Sequence, residues 1–399
     1  MSITPELSSF RPTFAEIDLD AFVRNVRAVR ARTGTAARLV AVVKADAYGH
    51  GAVEVARAAL DEGVDVFAVA LLEEAIELRD AGIEGTILLL GPVASDEQIE
   101  MASRAEITCG VVGPEELDLL AGYARKREAD LHIHLKLDSG MGRMGFLESD
   151  LDGMLETLRS APSLRVDGVY SHFANASDPD DPYTETQLAN FERMLARLAH
   201  GGLDAPVHHL ANSAAVMRGL VTPGDFVRVG IALYGGEPMD RGTTRLEPLM
   251  RWRTEVARLK TLPPGSSVGY GRTFQTRRTT RVATLPVGYA DGYDRLLSNR
   301  AEVLIRGRRV AVIGRVSMDL ITIDVTDVEG VAIGDEVVLL GRQGDEEIPA
   351  EEIAHWTGTI PYEVFCRVSA RVPRIYRRDG ASTIRSRFAG RVRKESSRA

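Results

Sequence analysis

Between residues 36 and 235 the chain alternates short apolar runs with longer amphipathic stretches, and it does so eight times. The runs are LVAVV, VFAVA, TILLL, ITCGVV, HIHLKL, VDGVYSHF, PVHHLA and FVRVGIALY. Apolar runs this short, rich in β-branched residues, read as strands covered on both faces, which is how a parallel sheet is built. Between them, VEVARAALDEG, LLEEAIELRDAG, PEELDLLAGYARKR and ETQLANFERMLARLAHGG repeat apolar residues at helical spacing, and several end in glycine or a basic residue. Eight strands alternating with helices predict an α/β fold, a (β/α)8 barrel of the TIM type.

After Gly236 the pattern changes to alternating strand-like runs (RTEVARLKTL, RVATLPVGYA, AEVLIRG, RRVAVIG, LITIDV, EVVLLG) with Gly and Pro turns and one short helix, AEEIAHWTG. A chain of 399 residues with 44% hydrophobic residues is large enough for two domains. The expected division is a barrel over 1–243, a β-rich C-terminal domain over 244–378 and a basic tail over 379–399. The opening AEIDLDAFVRNVRAVRAR supplies a strand and a helix that the pattern alone assigns to neither domain. Arginines from Arg377 onward read as a solvated, partly disordered tail.

The net charge of −8 is spread along the chain and gives no footprint for nucleic acid. Two cysteines, Cys109 and Cys366, make no disulfide framework, and neither a signal peptide nor a membrane-length apolar segment is visible, so the expected compartment is the cytoplasm.

In a barrel of this kind chemistry collects where the strands end. The first run leads into Lys44, with Tyr48 four residues on, in LVAVVKADAYGHG. The fifth leads into LKLDSGMGRMG, with Lys136 and Arg143; the sixth ends in His172; the seventh runs into Asn212 and Ser213; the eighth carries Arg228, Gly230 and Ile231. Cations and hydroxyls converging on one mouth suit an anion held by N–H and O–H donors. A lysine at a dry edge among other cations has its pKa lowered, which frees its amine to condense with an aldehyde. Pyridoxal phosphate brings both aldehyde and anion. Each residue alone has a plainer reading: Lys44 as a strand-end surface lysine, Arg143 as a loop bridge, His172 as a core histidine. His132 and His134 share one strand face without a third spaced ligand and read as structural; His208 and His209 point to opposite faces.

The motifs AVVKADAYGHG, LKLDSGMGRMGF, SHFANA, HLANSAA, VRVGIALYG, VGYGRTF, LPVGYADGY, GRVSMD and PYEV, in this order from about Phe14 to about Tyr376, resemble the bacterial alanine racemase family of fold-type III pyridoxal phosphate enzymes. The resemblance implies that Lys44 carries the cofactor and works as acid and base on one face of the substrate, with Tyr270 of a second subunit on the other. Two bases on two faces suit racemisation. A free tyrosine titrates near ~10, so Tyr270 needs cations nearby, for which His172 and Arg228 are the candidates. The resemblance further places Arg228 against the pyridine nitrogen, where a guanidinium weakens the ring as an electron sink. It assigns cofactor contacts to Tyr48, His172, Asn212, Ser213, Gly230, Ile231 and Tyr362, with the phosphate falling to Tyr48, Ser213, Gly230, Ile231 and Tyr362. Substrate contacts fall to Arg143, Met318 and Tyr289; Asp319 and a carbamylated Lys136 are supports. Ser317 departs from the cysteine that many relatives carry in that motif, without removing a required group.

The implied function is interconversion of L- and D-alanine for peptidoglycan, by a homodimer with shared sites and with no metal, nucleic acid or membrane partner. The alternatives are a broad-specificity racemase, an amino-acid decarboxylase and a non-catalytic cofactor carrier. The Tyr270 motif and Arg228 speak against the decarboxylase, and the second domain against the carrier.

Overall fold

The computed structural model describes residues 11–34, 37–220, 226–239 and 246–386. They fall into two compact units, one within Phe22–Ala47 and Gly51–Leu246, the other comprising Arg11–Ala21, Tyr48–His50 and Glu247–Ser386.

The first strand, β1 (Phe14–Asp18), belongs to the second unit, which moves the expected boundary. It pairs antiparallel with Met250–Glu255 and parallel with Arg374–Arg378. Its charge explains the placement: Glu16 is buried, and Arg251, Arg253 and Arg377 all reach its carboxylate, at 3.3, 2.9 and 2.8 Å. A buried carboxylate needs such partners, and the barrel offers none of these three.

The first unit holds the eight expected strands: β2 (Arg38–Val42), β3 (Val66–Val69), β4 (Thr86–Leu89), β5 (Ile107–Val111), β6 (Leu131–Lys136), β7 (Leu164–Tyr170), β8 (Val207–His209) and β9 (Phe226–Val229). Every neighbouring pair from β2 to β8 is parallel, and β9 pairs with β2. The remaining seam, between β8 and β9, is bridged by the Arg228 N–H donating to the Ala211 carbonyl at 3.0 Å. All residues of β3 and β5 are buried, as their unbroken apolar runs require. Helices pack outside by one stripe each. In Ala52–Asp61 the buried residues include Ala52, Val55, Ala56 and Ala59, one face of a 3.6-residue period. Ser95 caps Asp96–Arg104 through the Gln98 N–H. Among the described residues no helix is long and apolar enough to cross a membrane.

The second unit is strand-rich. One sheet runs Arg308–Ala311, Glu302–Ile305, Glu336–Gln343, Met250–Glu255, β1, Arg374–Arg378, Ala381–Arg385; a second runs Arg258–Leu262, Thr280–Leu285, Ile321–Asp324; and Ser267–Val268 pairs with Phe274–Gln275. Two helices, Ala350–Thr357 and Pro361–Arg367, complete it. The second helix was not foreseen, although Pro361 stands at its first turn where proline is favoured.

The expected tail from residue 379 is corrected in part. Ala381–Arg385 pairs antiparallel with Arg374–Arg378 across a turn in which Asp379 and Gly380 both take positive φ. Asp-Gly is a strong two-residue hairpin signal, and it outweighs the repulsion among the arginines. The rest of the tail, residues 387–399, lies outside the described residues.

Candidate active site

Lys44 follows β2 by two residues and opens an unusual turn. Ala45, Asp46, Ala47 and Tyr48 have φ of 52, 53, 53 and 54°, a left-handed turn made without glycine. Each such residue costs about 1–2 kcal/mol, so the turn persists only because its surroundings hold it. The Ala45 N–H donates to Glu74 Oε1 at 2.6 Å, Ala47 N–H to the Val43 carbonyl at 2.8 Å, Gly51 N–H to the Asp46 carbonyl at 2.8 Å, and Ala52 N–H to Asp46 Oδ1 at 2.8 Å. Glu74 also accepts from the Ala70 and Leu71 N–H groups. The backbone on which Lys44 sits is thereby tied to the end of the next barrel strand.

The other expected barrel residues gather at the same strand ends. Lys136 is the last residue of β6 and is buried; burial first, then Arg143 and Arg228, and more weakly Lys44, lower its pKa to about 8 against an opposing pull from Asp138. His172 follows β7. Burial, then Arg228, Lys136, Arg143 and Lys44, push its imidazole down to about 3. That these cations act on one lysine and one histidine shows that Lys44, Lys136, Arg143, His172 and Arg228 share one neighbourhood. Arg143 itself is exposed, in a loop shaped by Asp138 Oδ1, which accepts the Gly140 and Gly142 N–H groups.

Arg228 is the most constrained of them. It is buried in β9, and burial lowers its pKa to about 10, so it remains a cation at neutral pH. Its guanidinium donates to His209 Nδ1 at 2.8 Å, to the His209 carbonyl at 2.9 Å, to the Ser171 carbonyl at 2.6 Å and to His172 Nδ1 at 3.2 Å. It also lies 5.3 Å from the Tyr170 ring centre.

Ser213 and Gly230 adjoin each other, the Gly230 N–H donating to Ser213 Oγ at 3.0 Å, which leaves the Ser213 O–H as a donor to an anion. Ile231 follows, buried, at the start of a 3-10 turn. Asn212 uses its side chain to accept the Ala215 N–H at 3.0 Å, so it fixes the turn that presents Ser213.

In the second unit, Tyr48 and Tyr362 come together with ring centres 5.9 Å apart, and burial raises both hydroxyl pKa values, that of Tyr362 to about 12. Tyr48–His50 are held there by Arg374, which donates to the Gly49 carbonyl, and by Phe365, whose ring centre is 5.0 Å from that of His50. Tyr289 and Met318 are neighbours, since the Tyr289 and Ala290 N–H groups donate to the Ser317 and Met318 carbonyls, both at 3.0 Å. Asp319 receives Arg371 at 2.8 Å. Tyr270 stands 72% exposed between Gly269 and Gly271, both at positive φ, and Met318 is 53% exposed.

Sequence reasoning passed over three groups. His134 is buried and pairs with His209 at 2.8 Å, while His132, two residues earlier on the same strand, stays exposed against Asp167. His209 is buried beside Arg228. Gln187, also buried, accepts the Ala174 N–H at 2.8 Å and donates to the His172 carbonyl at 3.2 Å, bracing the backbone on both sides of Phe173. The available signal was Gly168 in VDGVY, because a glycine inside a strand marks a close approach.

These buried imidazoles make stability pH-dependent. His134 is lowered to about 4 and His172 to about 3 from an ordinary 6.5, and His209 is held well below it, in each case mainly by burial. Below that value the unfolded chain binds protons that the folded chain refuses, so falling pH destabilises the fold. The loss sets in near 6.5 and continues towards 4 for His134 and 3 for His172, at up to about 1.4 kcal/mol per pH unit for each histidine. The urea midpoint is expected to fall steeply from pH 7 to pH 5, where most carboxylates are still ionised; a flat midpoint over that window would contradict neutral burial.

Comparison with known proteins agrees with this geometry. Residues 17–238 match the family described as alanine racemase, N-terminal domain, and residues 249–376 that described as alanine racemase, C-terminal domain. An alanine racemase of Symbiobacterium thermophilum is 45% identical over 373 residues, covering 93% of this chain and 98% of its own. Alanine racemase 2 of Caldanaerobacter subterraneus subsp. tengcongensis is 42% identical, over 92% of this chain and 95% of its own. The crystal structure of alanine racemase from Bacillus anthracis with bound L-Ala-P superposes with a TM-score of 0.90 at 38% identity, covering 96% and 99% of the two chains. That of Bartonella henselae alanine racemase with covalently bound pyridoxal phosphate gives 0.84 at 30% identity, over 92% and 100%. With both domains matched in order and nearly the whole chain covered, the chain belongs to the alanine racemase family of enzymes.

Proposed function

We propose that this amino-acid racemase interconverts L- and D-alanine with pyridoxal phosphate bound at the barrel's strand ends, and that it supplies D-alanine for peptidoglycan in the cytoplasm. The donor set fits such a group: Lys44 offers a primary amine for an aldehyde, Ser213 and the Gly230–Ile231 turn lie beside each other for a phosphate, and Arg228 presents a guanidinium that cannot surrender its proton to a ring nitrogen. When bound, the cofactor draws electrons from the substrate and so acidifies the α-proton.

Lys44 then takes or returns that proton on one face. Tyr270 of the partner subunit does the same on the other, and its exposure, with that of Met318, suits residues that complete another copy's site. Arg143 receives the substrate carboxylate, Tyr289 narrows the entrance, and Asp319 steadies its loop through Arg371. Lys136 at about 8 keeps a neutral amine fraction that can add carbon dioxide and release a proton to solvent; the carbamate would carry one negative charge within the field of Arg143 and Arg228. Labelled bicarbonate is expected to give a carbamate carbon-13 resonance that Lys136→Arg lacks; a resonance surviving that substitution would place the group elsewhere.

The observation that carries the proposal is the convergence of five cationic or basic side chains, Lys44, Lys136, Arg143, His172 and Arg228, on adjoining strand ends. It is tested by chiral chromatography after separate incubation with L-alanine, L-serine and L-lysine. Fast formation of D-alanine alone is the expected result. Comparable D-serine or D-lysine would keep the mechanism and remove the substrate assignment, and no product with any of them would remove both.

A further inference from the structure

We propose that His134 is a positioning residue for Arg228, acting through the ring of His209. A guanidinium has donors and no acceptor. Arg228 approaches His209 Nδ1 at 2.8 Å, so this nitrogen accepts and the His209 proton sits on Nε2. His209 Nε2 in turn lies 2.8 Å from His134 Nδ1, which therefore accepts as well, leaving the His134 proton on its own Nε2. Hydrogen bonding runs in one direction, from Arg228 to His209 to His134. Remove the last acceptor and His209 has two poor choices. It can keep a buried N–H without a partner, which burial penalises, or move its proton to Nδ1 and confront the guanidinium donor to donor.

The barrel is shaped around this contact. His134 lies opposite Gly168 of the intervening strand β7, where a Cβ would come within 2.6 and 2.7 Å of the His134 ring atoms Cε1 and Nδ1. The register shift at Ile133/His134 skips Asp167 of β7 and so sets Gly168, which has no side chain, opposite His134. Tyr170 stacks on His209 with centres 4.9 Å apart and planes 13° from parallel, which fixes the plane of the central ring. Burial holds both imidazoles neutral, so each carries one proton and the direction of the chain is defined.

That the relay matters for catalysis rests on the reading that Arg228 faces the cofactor ring; the relay itself does not. The test uses full-length protein labelled with nitrogen-15 histidine and two variants. In His134→Asn the amide oxygen takes the place of Nδ1, whereas His134→Leu fills the space without an acceptor. The wild type and the Asn variant are expected to show His209 as the neutral Nε2–H form. The Leu variant should lose that signature, with kcat reduced on the order of tenfold to a hundredfold and KM for alanine little changed. Gly168→Ala, which presses a methyl group on the His134 ring, should reproduce the Leu spectrum, and it serves if the Leu variant does not fold. A His209 spectrum and kcat alike in the Asn and Leu variants would overturn the proposal. An altered tautomer with unchanged kcat would keep the relay and overturn the placement of Arg228 at the cofactor ring.

Discussion

Lys44→Ala is expected to abolish racemisation, by roughly 10²–10⁴-fold for the lost proton transfer alone, and to remove the absorbance of covalently held cofactor. No other amine is offered by the same backbone: Lys44 stands at the head of a left-handed turn held by the Ala45 and Ala47 N–H groups, the Asp46 carbonyl and the Asp46 carboxylate. The contacts assigned to the rest of the cofactor, at Ser213, Gly230 and Arg228, are untouched by the substitution, so the variant should still bind pyridoxal phosphate reversibly. The competing lysine is Lys136, which is close and partly neutral at working pH. A Lys44→Ala protein with covalent absorbance intact would move the assignment to it.

Tyr270→Phe should produce an asymmetric loss. Net racemisation needs one proton removed and one delivered, so it fails in both directions, again by about 10²–10⁴-fold. Exchange of the α-proton with deuterated water separates the two faces: one enantiomer of alanine keeps exchanging through Lys44 and the other stops. Equal exchange of both would sink the two-base assignment. Mixing the two inactive variants then tests where Tyr270 acts. Random reassortment makes half of the dimers hybrids, each with one intact shared site, and about a quarter of wild-type activity should return. If Lys44 and Tyr270 of a single chain formed the site, mixing would restore nothing.

The barrel was legible because each strand is a run buried on both faces, and eight such runs separated by one-sided helices admit few other folds. Lys44, Lys136, His172 and Ser213 stood out because they lie at or just beyond the ends of those runs, and Arg228 because it is a charge inside the last of them. The residues that escaped depend on distances the sequence does not encode locally. His134 and His209 sit on strands separated by a third and meet only because Gly168 leaves room between them. Gln187 lies on a helix whose period looks merely amphipathic, and its role appears once the loop carrying His172 is in place. Asp379–Gly380 was readable as a hairpin turn, but the arginines on either side read more strongly as a tail.

The place of β1 has a consequence for how the protein is made. Synthesised before the barrel, it sits in the middle of the second unit's large sheet, between Met250–Glu255 and Arg374–Arg378. A ribosome must deliver the entire barrel before either neighbour of β1 exists, and the second neighbour follows the first by more than a hundred residues. The barrel can condense during translation, whereas the second unit must wait with β1 unpaired, the kind of long-range closure that folds slowly and exposes an edge meanwhile. A fragment starting at the apparent domain boundary would lack the central strand of its own sheet, so the two domains are separable in sequence pattern but not in assembly.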